Sequence, residues 1–409
     1  QFCDETVLIK PGTDGALALA MMHVLVREGL ADEKFLMENT EGYEEFKETL
    51  PEYTPLWAEK ITGIPAENIE KLAIEYGRAK TPVIILGSGN SRYGNGAMTV
   101  RLITILSHFT GAWMRNGGLC GCTPTDRSYV NGSLITRPDF RTNEASSINI
   151  NQLGAAVKDG KVKSLYVYAS NPANSVSDTN AVMEGLKREG LFTVVHERFM
   201  TDTARYADII LPATFSVEQS DIYEAYGYCT LAAARKAVEP AGESKSNWDT
   251  FRLLAEKMGY EDEYFKLSED EMLDKVLSEP TDAVKELSQE ERDILKEGGW
   301  VNMPYSDHHV WKTKSGKIQI VNDKAGERVP KFTEGHGGEY PISLVSIPSE
   351  YTLNSIFSER KDLKDTRGEM KIFINTADAK KRGIKDGDDV ICFNDIGKVR
   401  FKAAVTDAV

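Results

Sequence analysis

A chain of 409 residues, 41% of them hydrophobic, carries enough apolar material for about two or three domains of ordinary size. Its 63 acidic side chains outnumber 49 basic ones and leave a net charge of −14, which argues against nucleic-acid binding and against docking on an anionic membrane. No apolar run of about 18 residues occurs, so the sequence contains no membrane-spanning helix.

In chain order, residues 6–9 read as a strand, followed by the turn Pro11-Gly12-Thr13-Asp14-Gly15 and an apolar helix to Leu30. Pro65 opens a helix whose Ile69, Leu72, Ala73 and Tyr76 recur at helical spacing. Residues 82–86 (PVIIL) predict a buried strand, then a glycine-rich loop over 87–96 and a helix to His108. A long irregular stretch, 111–149, is rich in Gly, Pro, Asn and Ser, a composition and length that usually mark function when ordered. Strands at 164–169, 191–195 and 208–211 alternate with helical pieces, so the fold class is α/β with a largely parallel sheet. Ser246 is expected to cap a helix that keeps Phe251, Leu254 and Met258 inside. Ser268-x-x-Glu271 and Ser288-x-x-Glu291 have the form of capping boxes on two acidic, solvated helices. Beyond Pro341 the strands 371–374, 389–393 and 398–403 predict a small β-rich domain, a barrel left open at its last strands. Neither Gln1 nor Val409 reads as a natural terminus, and both are taken as cuts in a longer polypeptide.

Four local features carry chemistry. Asp14 lies between strand and helix; an ionised carboxylate there offers two acceptors to guanine's N1–H and N2–H₂, or simply caps the helix. The loop 87–96 fails the dinucleotide fingerprint, because Arg92 stands where the third glycine belongs and no acidic residue follows at ribose-reading distance. With Ser88 and Arg92 it suits an anionic or carbonyl-bearing ligand, or it is a plain structural loop. Asn171 and the pair His196-Glu197 directly follow two of the parallel strands, on the rim where open α/β sheets bind ligands. The cysteines Cys3, Cys120, Cys122, Cys229 and Cys392 form no CxxC, the histidines (His308-His309 among them) are scattered, and no metal site assembles from local sequence.

Taken in order, IKPGTDGALALAMMHVLVREGL (9–30), GSGNSRYGNG (87–96), YASNPANSVSD (168–178), TDTARYADIILPATFSVEQSD (201–221), LNSIF (353–357) and INTADAKKRGIKDGDDVICFNDIGKV (374–399) resemble the molybdopterin oxidoreductase family of the dimethyl sulfoxide reductase type. The resemblance implies a bis-molybdopterin guanine dinucleotide cofactor with molybdenum or tungsten, and an iron–sulfur cluster upstream of this chain. It implies oxygen-atom or two-electron transfer, as in dimethyl sulfoxide, polysulfide and thiosulfate reductases or formate dehydrogenases. It divides the chain into the end of a nucleotide-binding α/β domain (1–80), a second α/β domain (81–337) and the start of a double-psi β-barrel (338–409). Gly12, Thr13 and Asp14 would hold one guanine end, and Ser88 and Arg92 would lie near a pterin or the substrate funnel. Asn171, His196, Glu197, Gln219 and Asn247 match contacts to the other nucleotide arm, and Ser346, Ser349, Asn354 and Ser355 match a loop closing over the pterins. Asn247 and Gln219 depart from the family, which more often has an acidic residue at the first position and, in some branches, a basic one at the second. The metal ligand falls outside this chain, which by itself is expected to be inactive. Implied partners are an iron–sulfur electron-transfer subunit and a membrane-anchor subunit, with no nucleic acid; the compartment stays open between cytoplasm and twin-arginine export. Two other readings remain, a cofactor-free electron-conduit subunit and a non-redox hydratase; the retained Gly12-Thr13-Asp14, Asn171 and 353–357 segments argue against the first.

Overall fold

The computed structural model describes residues 3–115, 119–121, 129–224, 229–279, 287–303, 311–335, 340–347 and 351–409. Cys122, His308, His309 and Ser349 lie outside the described residues. The chain divides into two compact units, the first made of Gln1–Pro124, Ser306–Ser346 and Ala408–Val409, the second of Thr125–Tyr305 and Ile347–Asp407.

The first unit is built around helix α1, Asp14–Arg27, which buries Ala16, Ala18, Leu19, Ala20, Met22, Val24 and Leu25. A helix apolar on nearly every side must be surrounded. Helices Pro55–Thr62, α2 (Ala66–Arg78) and α3 (Gly96–His108) surround it. Small residues set the approach: a Cβ on Gly77 of α2 would lie 2.5 Å from Leu25 Cδ2. The segment after residue 311 returns to this unit, where strand Ile318–Gln319 pairs in parallel with Thr40–Glu41. Arg101 of α3 fastens it by donating to the carbonyls of Ile320, Glu327 and Arg328 at 2.7–2.8 Å.

Two expectations fail here. Residues 6–9 pair with no strand among the described residues, and Leu8 is exposed. Strand Val83–Ile85 exists, paired in parallel with Leu119–Gly121, but it is not buried: Ile85 is 86% exposed. In a two-stranded ribbon only one face is covered, so alternate side chains meet solvent even in an unbroken apolar run.

In the second unit, strands β1 (Ser164–Tyr168), β2 (Phe192–Glu197) and β3 (Ile209–Pro212) form a parallel sheet in that spatial order. Helices Leu153–Lys158 and α4 (Thr179–Leu186) pack through Val157, Val182 and Leu186. Gly185 allows their contact, since a Cβ there would sit 2.4 Å from Val157 Cγ2. Helix α5, Asn247–Lys257, is capped by Ser246 as expected, its Oγ accepting from Asp249 N–H at 3.1 Å. Its apolar stripe is not inside, however. Phe251, Leu254 and Met258 are 39%, 43% and 63% exposed, and Ala255 is the buried residue. Phe251 leans tilted on Tyr166 and edge-on against Tyr168, at ring distances of 5.2 and 5.5 Å, contacts that cover only part of the ring.

An antiparallel sheet of Asp221–Glu224, Thr230–Ala234 and Trp300–Asn302 was not legible in the sequence. Both acidic helices, Glu269–Ser278 and Gln289–Lys296, begin with the anticipated capping boxes. Within the irregular 111–149 stretch, Arg137 docks its guanidinium 3.6 Å from the Phe140 ring centroid and 4.8 Å from that of Tyr264. Near the C-terminus β4 (Lys371–Asn375), β5 (Asp389–Phe393) and β6 (Lys398–Thr406) form a sheet with β6 central, parallel to β4 and antiparallel to β5. Pairing puts Ile372, Ile374, Val390, Cys392, Phe401, Ala403 and Val405 on one face.

Candidate functional site

The predicted site residues fall into separate groups in the two units. In the first unit the turn before α1 meets the glycine-rich loop. Gly12 has φ +77°, and a Cβ on it would come within 3.3 Å of the Tyr93 ring, so both backbone and neighbour select glycine. Thr13 occupies the N-cap position, with its Oγ1 donating to Lys10 O at 2.6 Å rather than accepting from the helix. Asp14 is therefore the first helical residue, not the cap. Its side chain finds no partner in another residue among the described ones. Burial raises its carboxyl above the usual carboxylate value, opposed by its own backbone N–H. A half-buried carboxylate at a helix N-terminus, with no cation paired to it among the described residues, is available to an external donor.

Ser88 and Arg92 bound a short 3₁₀ turn, and both are exposed. Arg92 has no carboxylate partner among the described residues. What joins the loop to the turn is Asn95, a residue that sequence inspection passed over. Only 6% exposed, it donates from Nδ2 to Gly12 O at 2.8 Å and to Thr333 O at 2.7 Å. Its Oδ1 is buried without a partner.

In the second unit a cavity of about 160 Å³ lies at the carboxyl ends of β1, β2 and β3, where it gathers His196, Glu197, Gln219 and Asn247 with Ala169 and Arg198. His196 is 1% exposed. Its Nε2 faces Lys245 O at 3.1 Å, and a carbonyl only accepts, so Nε2 donates there, while Nδ1 is buried without a partner among the described residues. Glu197 accepts from the Arg198 backbone N–H at 2.7 Å. Gln219 accepts from Thr214 Oγ1 at 2.6 Å, and its amide reaches Asp221 at 3.3 Å. Asn247 is exposed at the first turn of α5, which the Ala213–Lys245 bridge brings beside β3.

Two residues with no sequence signal shape this rim. Ala169 has φ +50°, a left-handed conformation that costs a non-glycine residue about 1–2 kcal/mol. Glu218, 8% exposed, accepts from Phe215 and Ala241 N–H at 2.7 and 3.0 Å and holds the loop behind Gln219. Asn171 stands apart from the cavity lining. Its Oδ1 accepts from Thr203 N–H and Oγ1 at 3.2 and 2.7 Å, bracing the sheet end from within.

Of the remaining predicted residues, Ser346 is exposed in the first unit. Asn354 (φ +52°) and Ser355 form the tip of a tight turn closed by Ile356 N–H to Leu353 O at 2.9 Å, in the second. Among the described residues no group of three or more His, Cys, Asp or Glu could hold a metal ion.

Amide, carboxylate, imidazole and guanidinium groups thus gather at the carboxyl edge of a parallel sheet, the rim where open α/β sheets bind ligands, with a helix N-terminus beside them. Comparison with known proteins gives the family. The molybdopterin oxidoreductase family model matches residues 1–257, and the molybdopterin dinucleotide-binding domain matches residues 342–409, so the chain belongs to the molybdopterin oxidoreductase family. It is 38% identical over 421 residues to the probable oxidoreductase YoaE of Bacillus subtilis (strain 168), covering 100% of this chain and 62% of that protein. It is 28% identical to the dimethyl sulfoxide reductase DmsA of Escherichia coli (strain K12), over 98% of this chain and 58% of the relative. The fold matches acetylene hydratase from Pelobacter acetylenicus with a TM-score of 0.77 at 21% identity, over 98% of this chain and 62% of the other. The chain thus spans about 60% of the length of these relatives.

Proposed function

We propose that this chain is the cofactor-holding part of a molybdenum- or tungsten-dependent oxidoreductase, and that its polar groups grip the nucleotide arms of a bis-molybdopterin guanine dinucleotide. The observation that carries this is the cavity at the ends of β1–β3, where His196, Glu197, Gln219 and Asn247 converge. The residues fit such a group. His196 Nδ1 is a buried ring nitrogen without a partner among the described residues, Arg198 supplies a cation 3.8 Å from Glu197 Oε1, and the start of α5 adds backbone N–H groups suited to a phosphate.

When bound, such a cofactor supplies oxygen-atom or two-electron transfer chemistry, while the protein positions and tunes it. This chain's part is to orient. Gly12 and Thr13 shape the turn and Asp14 reads one guanine, its two oxygens accepting from the base's paired N–H groups. Ser88 and Arg92 offer a donor and a cation toward a pterin or an entering substrate. In the second unit Glu197 and Asn247 are assigned to the ribose or base of the other arm, His196 and Gln219 accept and donate behind them, and Asn171 holds the strand end in place. Ser346, Ser349, Asn354 and Ser355 are assigned to the loop over the pterins. An iron–sulfur subunit and a membrane-anchor subunit are the proposed partners, and an iron–sulfur cluster in the longer protein is the proposed electron entry.

The test is reaction class. Longer protein carrying this chain should oxidise a reduced viologen dye with an S- or N-oxide, or reduce a dye with formate. Hydration of an alkyne without any dye turnover would contradict the redox reading.

A further inference from the structure

Asn95 ties three non-adjacent pieces of the first unit with one side chain. Its amide nitrogen bonds Gly12 O, 83 positions away, and Thr333 O, 238 positions away. Both partners are carbonyls, which only accept, so the amide can face them in one orientation. The consequence is an Oδ1 that is buried and unpartnered, directed toward glycines. Ideal Cβ atoms on Gly335 and Gly12 would lie 3.5 and 3.8 Å from it. A buried polar atom left unsatisfied requires an account, since such groups are rare in folded chains. The amide is spent on positioning two backbones rather than on its own satisfaction.

The backbone it positions is the one that matters for recognition. Gly12 directly precedes the N-cap Thr13 and Asp14, and Thr13's own Oγ1 is turned back to Lys10 O. Thr13 N–H also bonds Lys10 O, at 3.2 Å, so the turn is closed locally, but no side-chain cap ties it to the helix. Among the described residues, the side-chain hydrogen bond that reaches residues 12–14 from elsewhere in the chain is that of Asn95. Tyr93 supports it sterically, its ring 3.3 Å from the Gly12 Cβ direction.

We propose that Asn95 is the positioning residue of the turn Gly12–Asp14, fixing where the Asp14 carboxylate stands and thereby its selectivity for guanine over adenine. This rests on the reading of Asp14 as the guanine contact. Adenine presents a lone pair where guanine has N1–H, so a carboxylate held in register repels one base and accepts from the other. A carboxylate free to shift loses that contrast before it loses affinity.

The test uses the chain with Asn95→Asp, which replaces the donor by an acceptor at constant shape, and Asn95→Ser, which is too short to bridge. Affinities for GDP and ADP are measured by calorimetry, and amide exchange is followed by mass spectrometry. Exchange in β2 of the second unit serves as the folding control. The wild-type chain should prefer GDP by about tenfold or more, as expected for a charge-assisted hydrogen-bond pair. In both variants the preference should fall to about twofold or less, with exchange at residues 12–16 faster by about tenfold and β2 unchanged. Faster exchange with the GDP/ADP ratio intact would make Asn95 a structural bracket only and overturn the proposal, as would unchanged exchange. A wild-type chain with no guanine preference would sink the reading of Asp14 and the selectivity role with it, whereas a preference kept in both variants would sink the role of Asn95 alone.

Discussion

Replacing Asp14 by asparagine should separate binding from stability, and the structure says in which direction each moves. Thr13, not Asp14, is the N-cap, so Asp14→Asn leaves the cap in place. The carboxyl is raised above its ordinary value, with burial the leading cause and its own backbone N–H working against it. A folded-state value above the unfolded one means that the folded chain holds the proton more tightly. Ionised Asp14 is therefore a cost to folding above that value, and the cost disappears as pH falls through it. A neutral isostere removes it, so Asp14→Asn should melt at the same temperature or higher at pH 7. Guanine binding should move the other way. Hydrogen bonds to a charged group are worth roughly 1.5–3 kcal/mol, so loss of the carboxylate should weaken GDP binding by about 10- to 150-fold. Wild-type affinity should also fall as pH drops through the raised Asp14 value, and the asparagine variant should show no such step. Calorimetry across pH 4 to 8, with melting curves on the same samples, reads both effects. Equal GDP affinity in the two proteins, or a lower melting temperature with binding intact, would refute the reasoning.

His108 sits 4% exposed, stacked on Trp113 at 4.8 Å, and burial pushes its imidazole down to about 4 from an unfolded value near 6.5. Stability is complete above the unfolded value and is lost as pH falls from there toward 4, by at most about 3 kcal/mol. His108→Phe should keep the stacking and flatten that part of the urea-stability curve; identical curves would show that another group titrates. Ala169→Gly should stabilise the chain by about 1 kcal/mol by relieving the φ of +50°, read as a higher melting temperature. A destabilised glycine variant would show that the Ala169 methyl packing outweighs the strain.

Much of the parallel-sheet unit was legible because strand, helix and rim residue follow each other in sequence. The strands 164–169 and 191–195 appear as Ser164–Tyr168 and Phe192–Glu197, and His196 and Glu197 stand at a strand end as their position implied. Capping boxes were legible for the same local reason. What sequence could not supply is which face a neighbour covers. Ile85, Leu254 and Met258 have the right periodicity for burial and lack a cover, so they are exposed. Nor could it show bonds spanning large separations. Asn95 sits in a run of glycines and small polar residues, and only its reach of 238 positions to Thr333 O marks it out. Ala169 illustrates a third limit, since an alanine carries no hint that its backbone is left-handed. Thr230–Ala234 is mostly alanine, a weak strand former, and is held by its two neighbours rather than by its own propensity.

The most direct measurement of the central claim is cofactor content. The longer protein containing this chain, produced with molybdate or tungstate, should release guanylate on mild acid treatment and carry a metal detectable by elemental analysis. The account predicts about two guanylates for each molybdenum or tungsten atom, as the two dinucleotide arms of one cofactor demand. Protein that is folded yet contains neither guanylate nor metal would contradict it, and would favour a subunit that keeps the fold without the cofactor.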